Sequence, residues 1–284
     1  MNRRQFLIRS FLTASATAVG LPFYATRIEP HWVDYVEHDL PVRNLPAHLQ
    51  GKTLVQLSDL HIGRVVDDGY LRHVFSEVQA LNPDYVVYTG DFVSYKDASQ
   101  VVQMADVMSS APIGRLGTVG VLGNHDYGHF WREAEVGNAI ERKLNDVGID
   151  ILHNERRSYS GLDIVGIEEL WFPGFQIEEA QAALEGSQRP TVVLCHNPDG
   201  ADYPMWGEYD GWILSGHTHG GQCKPPFLPA PFVPVNNRRY TAGYIPVHAN
   251  GRALYINRGV GHASLKVRFN ARPEVTVFTL QNKT

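Results

Sequence analysis

Short apolar runs rich in β-branched residues occur along the chain and predict buried strands. The clearest runs are Thr53–Leu57, Tyr85–Thr89, Gly117–Leu122, Thr191–Cys195 and Gly211–Leu214. Weaker runs at Leu162–Ile167, Ala253–Ile256 and Glu274–Leu280 predict three more strands.

Amphipathic segments lie between these runs and predict helices. In Gly69–Leu81, four apolar residues recur at the i, i+3, i+4 and i+7 spacing of one helix face, namely Leu71, Val74, Phe75 and Val78. Further helices are expected at Ala98–Ser109, Glu133–Val147 and Ile177–Leu184. The alternation of strand and helix favours a layered α/β fold, and the closely spaced later strands predict a second, mixed sheet.

Polar residues follow each of the five clearest strands. The five segments are Ser58-Asp59-Leu60-His61, Gly90-Asp91, Gly123-Asn124-His125-Asp126, Cys195-His196-Asn197 and Ser215-Gly216-His217-Thr218-His219. In open α/β sheets the ligand crevice lies at the carboxyl ends of the strands. These side chains are therefore expected to converge on one site, although they are far apart in the sequence.

This mixture of imidazole and carboxylate suits divalent cations such as Mn, Fe or Zn. Two metal ions about 3.5–4 Å apart can clamp the attacking and leaving oxygens of a phosphoryl displacement. Two dications at that distance require an anionic bridge, for which Asp91 is the candidate. Gly90, Gly123 and Gly216 precede the predicted ligands, where glycine permits tight turns and close backbone approach.

The five segments, in this order over about residues 51 to 221, resemble the calcineurin-like metallophosphoesterase superfamily. The resemblance implies a four-layer αββα sandwich with two mixed β-sheets over residues 28–284. It also implies two divalent metal ions, Mn, Fe or Zn. Serine/threonine protein phosphatases of this superfamily carry Asp-Arg-Gly after the bridging aspartate, whereas Phe92-Val93-Ser94 follow here, which argues against protein phosphatase activity.

The same resemblance implies a role for each matching residue. Asp59, His61 and His219 would bind the first metal ion, and Asn124, His196 and His217 the second. Asp91 would bridge both ions, and a bridging hydroxide would be the nucleophile. His125 would act beside the leaving oxygen as general acid or charge stabiliser, and Asp126 is a candidate to orient it.

The chain resembles more narrowly a bacterial exported branch of YaeI/YkuE-like phosphodiesterases. The features that carry this likeness are the arginine pair near the start, His196-Asn197-Pro198-Asp199, the extension from Gly216 to Gln222, and Arg258-Gly259-Val260-Gly261. Phosphodiester hydrolysis is therefore the first functional expectation. The alternatives are a UDP-2,3-diacylglucosamine pyrophosphatase of lipid A biosynthesis and a non-catalytic metal-binding protein on the same scaffold.

The N-terminus resembles a twin-arginine export signal, because Arg3 and Arg4 precede Phe6 and a weakly apolar stretch. Residues 1–27 are therefore predicted to be a signal or an uncleaved anchor. We expect the folded protein to reach the periplasm or the outer face of the membrane. The route suits a metalloprotein, since metal can be loaded with folding before export.

The remaining features change this picture little. A net charge of −5 gives no general attraction to nucleic acid, so specific nucleic-acid binding is not expected. The resemblance implies a phosphodiester or nucleotide-linked lipid as the substrate. Oligomeric state is left open. Three further possibilities are weaker than ordinary core or surface positions for the residues concerned. They are a cleft wall of aromatic residues, a Cys195–Cys223 disulfide, and substrate contacts from His129, His262, Arg238 or Arg239. The aromatic groups are Tyr127, Phe130 and Trp131, and Trp171, Phe172 and Phe175.

The role assigned to His125 gives a first test. His125→Ala should lower turnover about 10²–10⁴-fold while the protein still binds its metal ions, because the imidazole acts on the leaving group and is not a ligand. Turnover and metal content are measured on the same preparation. Equal activity in the variant would remove His125 from the mechanism.

Overall fold

The computed structural model describes residues 3–5, 9, 18–186, 189–247 and 251–283. Much of the predicted export segment therefore lies outside the described residues, although residues 18–23 are helical and lead into a π-helical turn, Tyr24–Ile28. Within the described ranges, no helix has the length and apolar character needed to span a membrane.

Twelve strands within the described residues form two six-stranded mixed sheets. The first sheet has, in spatial order, β1 (Asp34–Val42), β12 (Glu274–Asn282), β2 (Thr53–Leu57), β3 (Tyr85–Thr89), β4 (Gly117–Val121) and β5 (Asp150–Ile151). The second has β10 (Gly243–Pro246), β11 (Ala253–Ile256), β9 (Trp212–Ser215), β8 (Thr191–Cys195), β7 (Leu162–Ile167) and β6 (Glu155–Tyr159). Strands β2, β3 and β4 are mutually parallel, as are β7, β8 and β9.

Four α-helices cover the outer faces of the sheets: α1 (Asp68–Ala80), α2 (Ala98–Met108), α3 (Ala134–Asp146) and α4 (Ile177–Leu184). Helix α1 begins where the Asp67 carboxylate accepts a hydrogen bond from the amide of Tyr70 (2.8 Å), which satisfies an otherwise unpaired donor. Its predicted apolar face, including Phe75, is buried. Asp97 and Gln100 form a capping box at the start of α2.

The apolar side chains form three separate layers. One fills the space between the sheets, where Leu54 and Val87 of the first sheet pack with Val192 and Leu214 of the second. The other two lie outside the sheets, one beneath α1 to α3 and one beneath α4. This arrangement confirms the predicted four-layer αββα fold, because each sheet buries both of its faces.

The two sheets are also joined by polar contacts near one edge. The buried Gln56 amide of β2 donates to the backbone carbonyl of Ser215 in β9 (2.9 Å) and to the hydroxyl of Thr89 in β3 (3.0 Å). Within the second sheet, the Gly216 amide donates to the carbonyl of His196 (3.0 Å) just after β9 and β8 end. The carboxyl ends of β2, β3, β4, β8 and β9 consequently open onto the same edge of the sandwich.

Candidate metal centre

The backbone turns sharply after three of these strands. Five of the predicted metal ligands adopt left-handed conformations, with φ of 52° at Asp59, 50° at His61, 56° at Asp91, 71° at His217 and 53° at His219. Such a conformation costs a residue other than glycine on the order of 1–3 kcal/mol and persists only where the surrounding structure enforces it. The concentration of strain at this edge marks it as a candidate functional site.

The glycines beside these residues allow the strand ends to touch. Gly90 has a φ of 91°, and a side chain there would clash with the ring of His196. A Cβ atom at Gly123 would collide with the Asp91 carboxylate, and one at Gly216 with Ser58 and Asp59. The sequence prediction of close backbone approach at these glycines is confirmed.

Asp59, His61 and His219 form the first group of metal-capable side chains. The Nε2 atoms of His61 and His219 lie 3.0 Å apart, and Nε2 of His219 lies 3.4 Å from Oδ1 of Asp59. All three side chains are buried. This is the set that the sequence assigns to the first metal ion.

Asp91, His196 and His217 form the second group. Nδ1 of His217 lies 3.2 Å from Nε2 of His196, which is also 3.3 Å from Oδ1 of Asn124. Oδ2 of Asp91 lies 3.4 Å from Nε2 of His196 and 3.5 Å from Nε2 of His61. Asp91 therefore sits between the two groups, where the prediction places a bridge.

Outer partners orient two of the histidine rings unambiguously. Nδ1 of His196 is 2.6 Å from the carbonyl oxygen of Thr89, and Nε2 of His217 is 2.9 Å from that of Pro234. A carbonyl oxygen only accepts, so each of these ring nitrogens carries a proton. When the rings are neutral, the opposite nitrogens present lone pairs towards the centre, which is the usual arrangement for metal-binding histidines.

Burial and charge give the side chains of the site different protonation states. Burial lowers the pKa of His61 and of His217 to about 3, so both are neutral at physiological pH. Burial raises the pKa of Asp91, but attraction to His196 and His125 outweighs it and holds that pKa well below its ordinary value. Burial likewise lowers the pKa of His196, but attraction to Asp91 raises it well above the usual range.

The donor set fits divalent metal ions. Imidazole nitrogens and carboxylate oxygens converge at 3.0–3.5 Å in a buried volume, and both are ligand types for divalent first-row metal ions. The structure brings together all seven predicted ligands. Their assignment to a first or second ion stays a prediction.

His125 lies beside both groups and remains partly exposed. Its ring meets that of His61 edge to face, with centroids 5.0 Å apart, and its backbone amide donates to Oδ1 of Asp91 (2.9 Å). The Asp126 carboxylate accepts from the amides of Val93 (3.0 Å) and Gly123 (2.9 Å). Asp126 therefore fixes the turn that carries His125 and does not contact the imidazole, which corrects the orienting role considered from the sequence.

The sequence reasoning missed Glu169, which follows β7 at the same edge. Its Oε1 accepts from the amide of Trp171 (3.1 Å), while Oε2 is buried without a hydrogen-bond partner among the described residues. Burial raises the pKa of Glu169 to about 7, and attraction to His196 opposes the rise. The signal was available, since β7 was predicted and Glu168 and Glu169 follow its carboxyl end.

Glu168 anchors the His125 loop through a neighbouring tyrosine. The hydroxyl of Tyr127 donates to Oε1 of Glu168 (2.5 Å), and Oε2 of Glu168 lies 2.8 Å from Nδ1 of His153. Nε2 of His153 lies 3.5 Å from the carboxylate of Glu141 on α3. The loop that carries His125 is thus tied to both β7 and α3.

The aromatic residues partly form the expected wall. Trp171 packs against Trp131 (centroids 4.9 Å apart) and meets the ring of His217 edge to face (4.6 Å). Tyr127 is buried and stacks on Phe172, and Phe175 packs against Tyr203 away from the wall.

The structure also places the cysteines, histidines and arginines that the sequence offered as weaker alternatives. Cys195 and Cys223 are both free thiols, so the disulfide does not form. His262 is fully buried, whereas Arg238 and Arg239 are exposed. His129 is exposed and packs against Tyr95 with ring centroids 5.3 Å apart.

A second feature absent from the sequence prediction is the fully buried Arg268. Its guanidinium donates to the carbonyls of Gly259 (3.0 Å), Gly261 and Ala271 (2.8 Å). Burial lowers the pKa of Arg268 to about 10, so the group stays charged near neutral pH. The amide of Gly261 in turn donates to the carbonyl of Asp59 (2.8 Å), so Arg268 stabilises the turn that carries the first group of ligands.

Replacing Arg268 should weaken metal binding at the first group. Arg268→Met removes the hydrogen bonds that hold residues 258–261 against Asp59, and we expect a loss of about 10–100-fold in affinity for one of two ions. Arg72→Met, on the surface of α1, is the matched control. Titration with Mn or Zn measures both sites, and unchanged affinity for both ions would contradict this role.

The contact between His153 and Glu168 should make stability depend on pH. Burial lowers the pKa of His153, but the hydrogen bond and attraction to Glu168 outweigh it and raise the net pKa above 6.5. The resulting stability is fully present below the unfolded pKa and is lost as pH rises through the folded pKa. The stability difference between the wild type and His153→Gln should therefore be largest below about pH 6 and shrink towards pH 9.

Chemical denaturation at a series of pH values measures this difference. The effects of other titrating groups cancel between the two proteins, provided the substitution leaves their surroundings unchanged. A difference that grows towards alkaline pH would refute the assignment of a positive charge to His153.

Comparison with known proteins agrees with this geometry. Residues 52–221 match the family model described as calcineurin-like phosphoesterase. The chain is 32% identical to the metallophosphoesterase YkuE of Bacillus subtilis, over 99% of this chain and 98% of that protein. It is 30% identical to the phosphodiesterase YaeI of Escherichia coli, over 99% of each chain.

A further relative is the UDP-2,3-diacylglucosamine pyrophosphatase LpxG of Chlamydia muridarum, at 26% identity over 94% of this chain and 95% of that protein. The family match covers more than half of the 284 residues and contains every predicted ligand. The fold, the buried donor groups and these matches together show that the chain belongs to the calcineurin-like phosphoesterase family, whose members use divalent metal ions to hydrolyse phosphoric esters.

Proposed function

We propose that the protein hydrolyses phosphodiesters, with two divalent ions held by the two donor groups around Asp91. The observation that carries the proposal is the position of Asp91, within 3.5 Å of ring nitrogens from both groups. When bound, the ions would make a nucleophile available from water near neutral pH and offset charge on the phosphate. Reloading the metal-stripped protein with different metals identifies the ions that support activity.

The residues of the chain would position the substrate and handle the leaving group. His125 is partly exposed, so its imidazole can reach a phosphate ester that the ions hold. Its backbone amide donates to Asp91, which fixes the main chain of His125 beside that carboxylate. We assign to His125 the proton or positive charge that stabilises the departing oxygen.

Cleavage of UDP-2,3-diacylglucosamine is the second candidate function. Its support is the likeness to LpxG over nearly the whole chain and the wall formed by Trp131 and Trp171 beside His217. Export by the predicted twin-arginine signal would separate the site from a cytoplasmic substrate. An anchor that kept the domain on the cytoplasmic face would favour this candidate.

Hydrolysis of bis(p-nitrophenyl) phosphate, compared with p-nitrophenyl phosphate, tests the proposal. Metal-stripped protein reloaded with Mn, Zn or Fe should cleave the diester faster than the monoester. Asp91→Ala should reduce the rate to background and lower the metal content, because the bridge is lost. Asp106→Ala, an exposed carboxylate on α2, serves as control and should leave both unchanged.

Each other outcome has a definite meaning. Activity on neither ester despite two bound ions would direct the assay to UDP-2,3-diacylglucosamine. Failure of the reloaded protein to bind two ions would overturn the proposal.

A further inference from the structure

Charge is distributed unevenly along this chain. Residues 211–273 contain eight Lys or Arg and no Asp or Glu, although the whole chain has 25 basic and 30 acidic residues. The rest of the chain therefore holds 17 basic and 30 acidic residues. Of these eight, Arg252 and Arg268 are buried, and Arg258 and Arg272 pair with Asp34. The other four form no salt bridge among the described residues, and such cations attract anionic partners.

The same stretch carries strongly exposed apolar side chains. Phe227, Leu228 and Phe232 are 104%, 59% and 71% exposed. They project from a loop with five prolines, whose fixed φ angles reduce the conformational freedom of the chain.

Two other segments meet this loop. The Gln222 side chain donates to the carbonyl of Leu265 (3.2 Å), and the amide of Phe269 donates to the carbonyl of Gln222 (2.9 Å). The next residue back, Arg268, donates its amide to the carbonyl of Ala25 (2.9 Å). Residues 18–28, 221–235 and 263–270 thus form one continuous surface, which we call the basic rim.

The basic rim borders the metal centre. The carbonyl of Pro234, at the end of the proline loop, contacts the ring of His217 at 2.9 Å. Phe130, which follows the His125 turn, is 84% exposed. Eight large apolar residues among those described are at least 59% exposed, and only Val102 lies outside the rim and this turn.

Apart from the buried Arg268, the charged groups of the rim have no acidic partner among the described residues. Arg27, Lys224 and Lys266 form no salt bridge among the described residues. Moreover, the three rim segments contain no Asp or Glu. Exposed aromatic side chains beside unpaired cations are the combination that binds the interface of an anionic bilayer, since the rings enter the acyl boundary while the cations attract lipid headgroups.

We propose that the basic rim docks on the surface of an anionic phospholipid bilayer, with the metal cleft facing the lipid. The predicted export segment supports this occupant, because residues 1–17 contain three arginines and no acidic residue and join the rim at residue 18. Docking is independent of the proposed hydrolytic function.

Flotation of the full chain with phosphatidylcholine vesicles, with and without phosphatidylglycerol, tests the proposal. The wild type should bind the anionic vesicles and lose binding as salt is raised. The variant Phe227→Ser/Leu228→Ser/Phe232→Ser should bind at least about tenfold more weakly. The control Leu81→Ser/Val102→Ser/Ile113→Ser, three exposed apolar residues near the helical layer, should bind like the wild type.

Charge is tested separately with Lys224→Glu/Lys266→Glu, which should abolish the preference for anionic vesicles. Arg142→Glu/Lys143→Glu on α3 is the control. All variants keep residues 1–17, so equal binding by the rim variants would show that the N-terminus alone binds lipid and would overturn the proposal.

Two further results would also overturn it. One is a wild type that does not float with anionic vesicles. The other is a wild-type dimer, seen by light scattering, that becomes a monomer in the apolar rim variant. Hydrolysis of the soluble bis(p-nitrophenyl) phosphate is measured on the same variants and should not change, so failure of docking and failure of catalysis are distinguished.

Discussion

Crowding of metal-capable side chains at one buried edge of the sandwich is the constraint on which the rest of the structure depends. Four imidazoles and two carboxylates share a volume from which water is largely excluded, and their inward-facing atoms approach within 3.0–3.5 Å. Attraction between Asp91 and His196 offsets only part of this repulsion. A bound cation would relieve the rest, so we expect metal binding and folding of this edge to be thermodynamically linked.

Several layers of contacts hold the crowded groups in place. Backbone carbonyls of Thr89 and Pro234 fix two of the rings, and Asp126 fixes the turn that carries His125. Arg268 stabilises the neighbouring turn through hydrogen bonds to backbone carbonyls. Most of these partners are backbone atoms, whose positions depend on the sheets, so the rigidity of the sandwich is transmitted directly to the donor atoms.

The sequence predicted the parts of the fold with a strong local signal. Buried strands such as Tyr85–Thr89 and Thr191–Cys195 were located correctly because both faces are apolar. Strand β1 was missed, since its alternating pattern of half-buried and exposed residues includes charged side chains and Pro41. Strand β5 has only two residues, too few for any periodicity.

The residues of the candidate site were likewise predictable only where the local sequence signal is strong. Its donors were found because each directly follows a clear strand, and the parallel arrangement then brings them together. Glu169 follows a weaker strand and was overlooked. Arg268 could not be found in this way, because its partners are carbonyls brought near by the return of the chain through residues 258–271, and no side-chain pattern records them.

The left-handed conformations at the metal centre also limit how this site can evolve. Asn, Asp, His and Gly tolerate positive φ better than other residues, and β-branched residues tolerate it least. A mutation to Cys or Glu at Asp59, His61 or His219 would therefore alter the ligand and strain the backbone at once. At the five ligands with positive φ, backbone shape therefore disfavours change to a thiolate and favours oxygen and imidazole ligands.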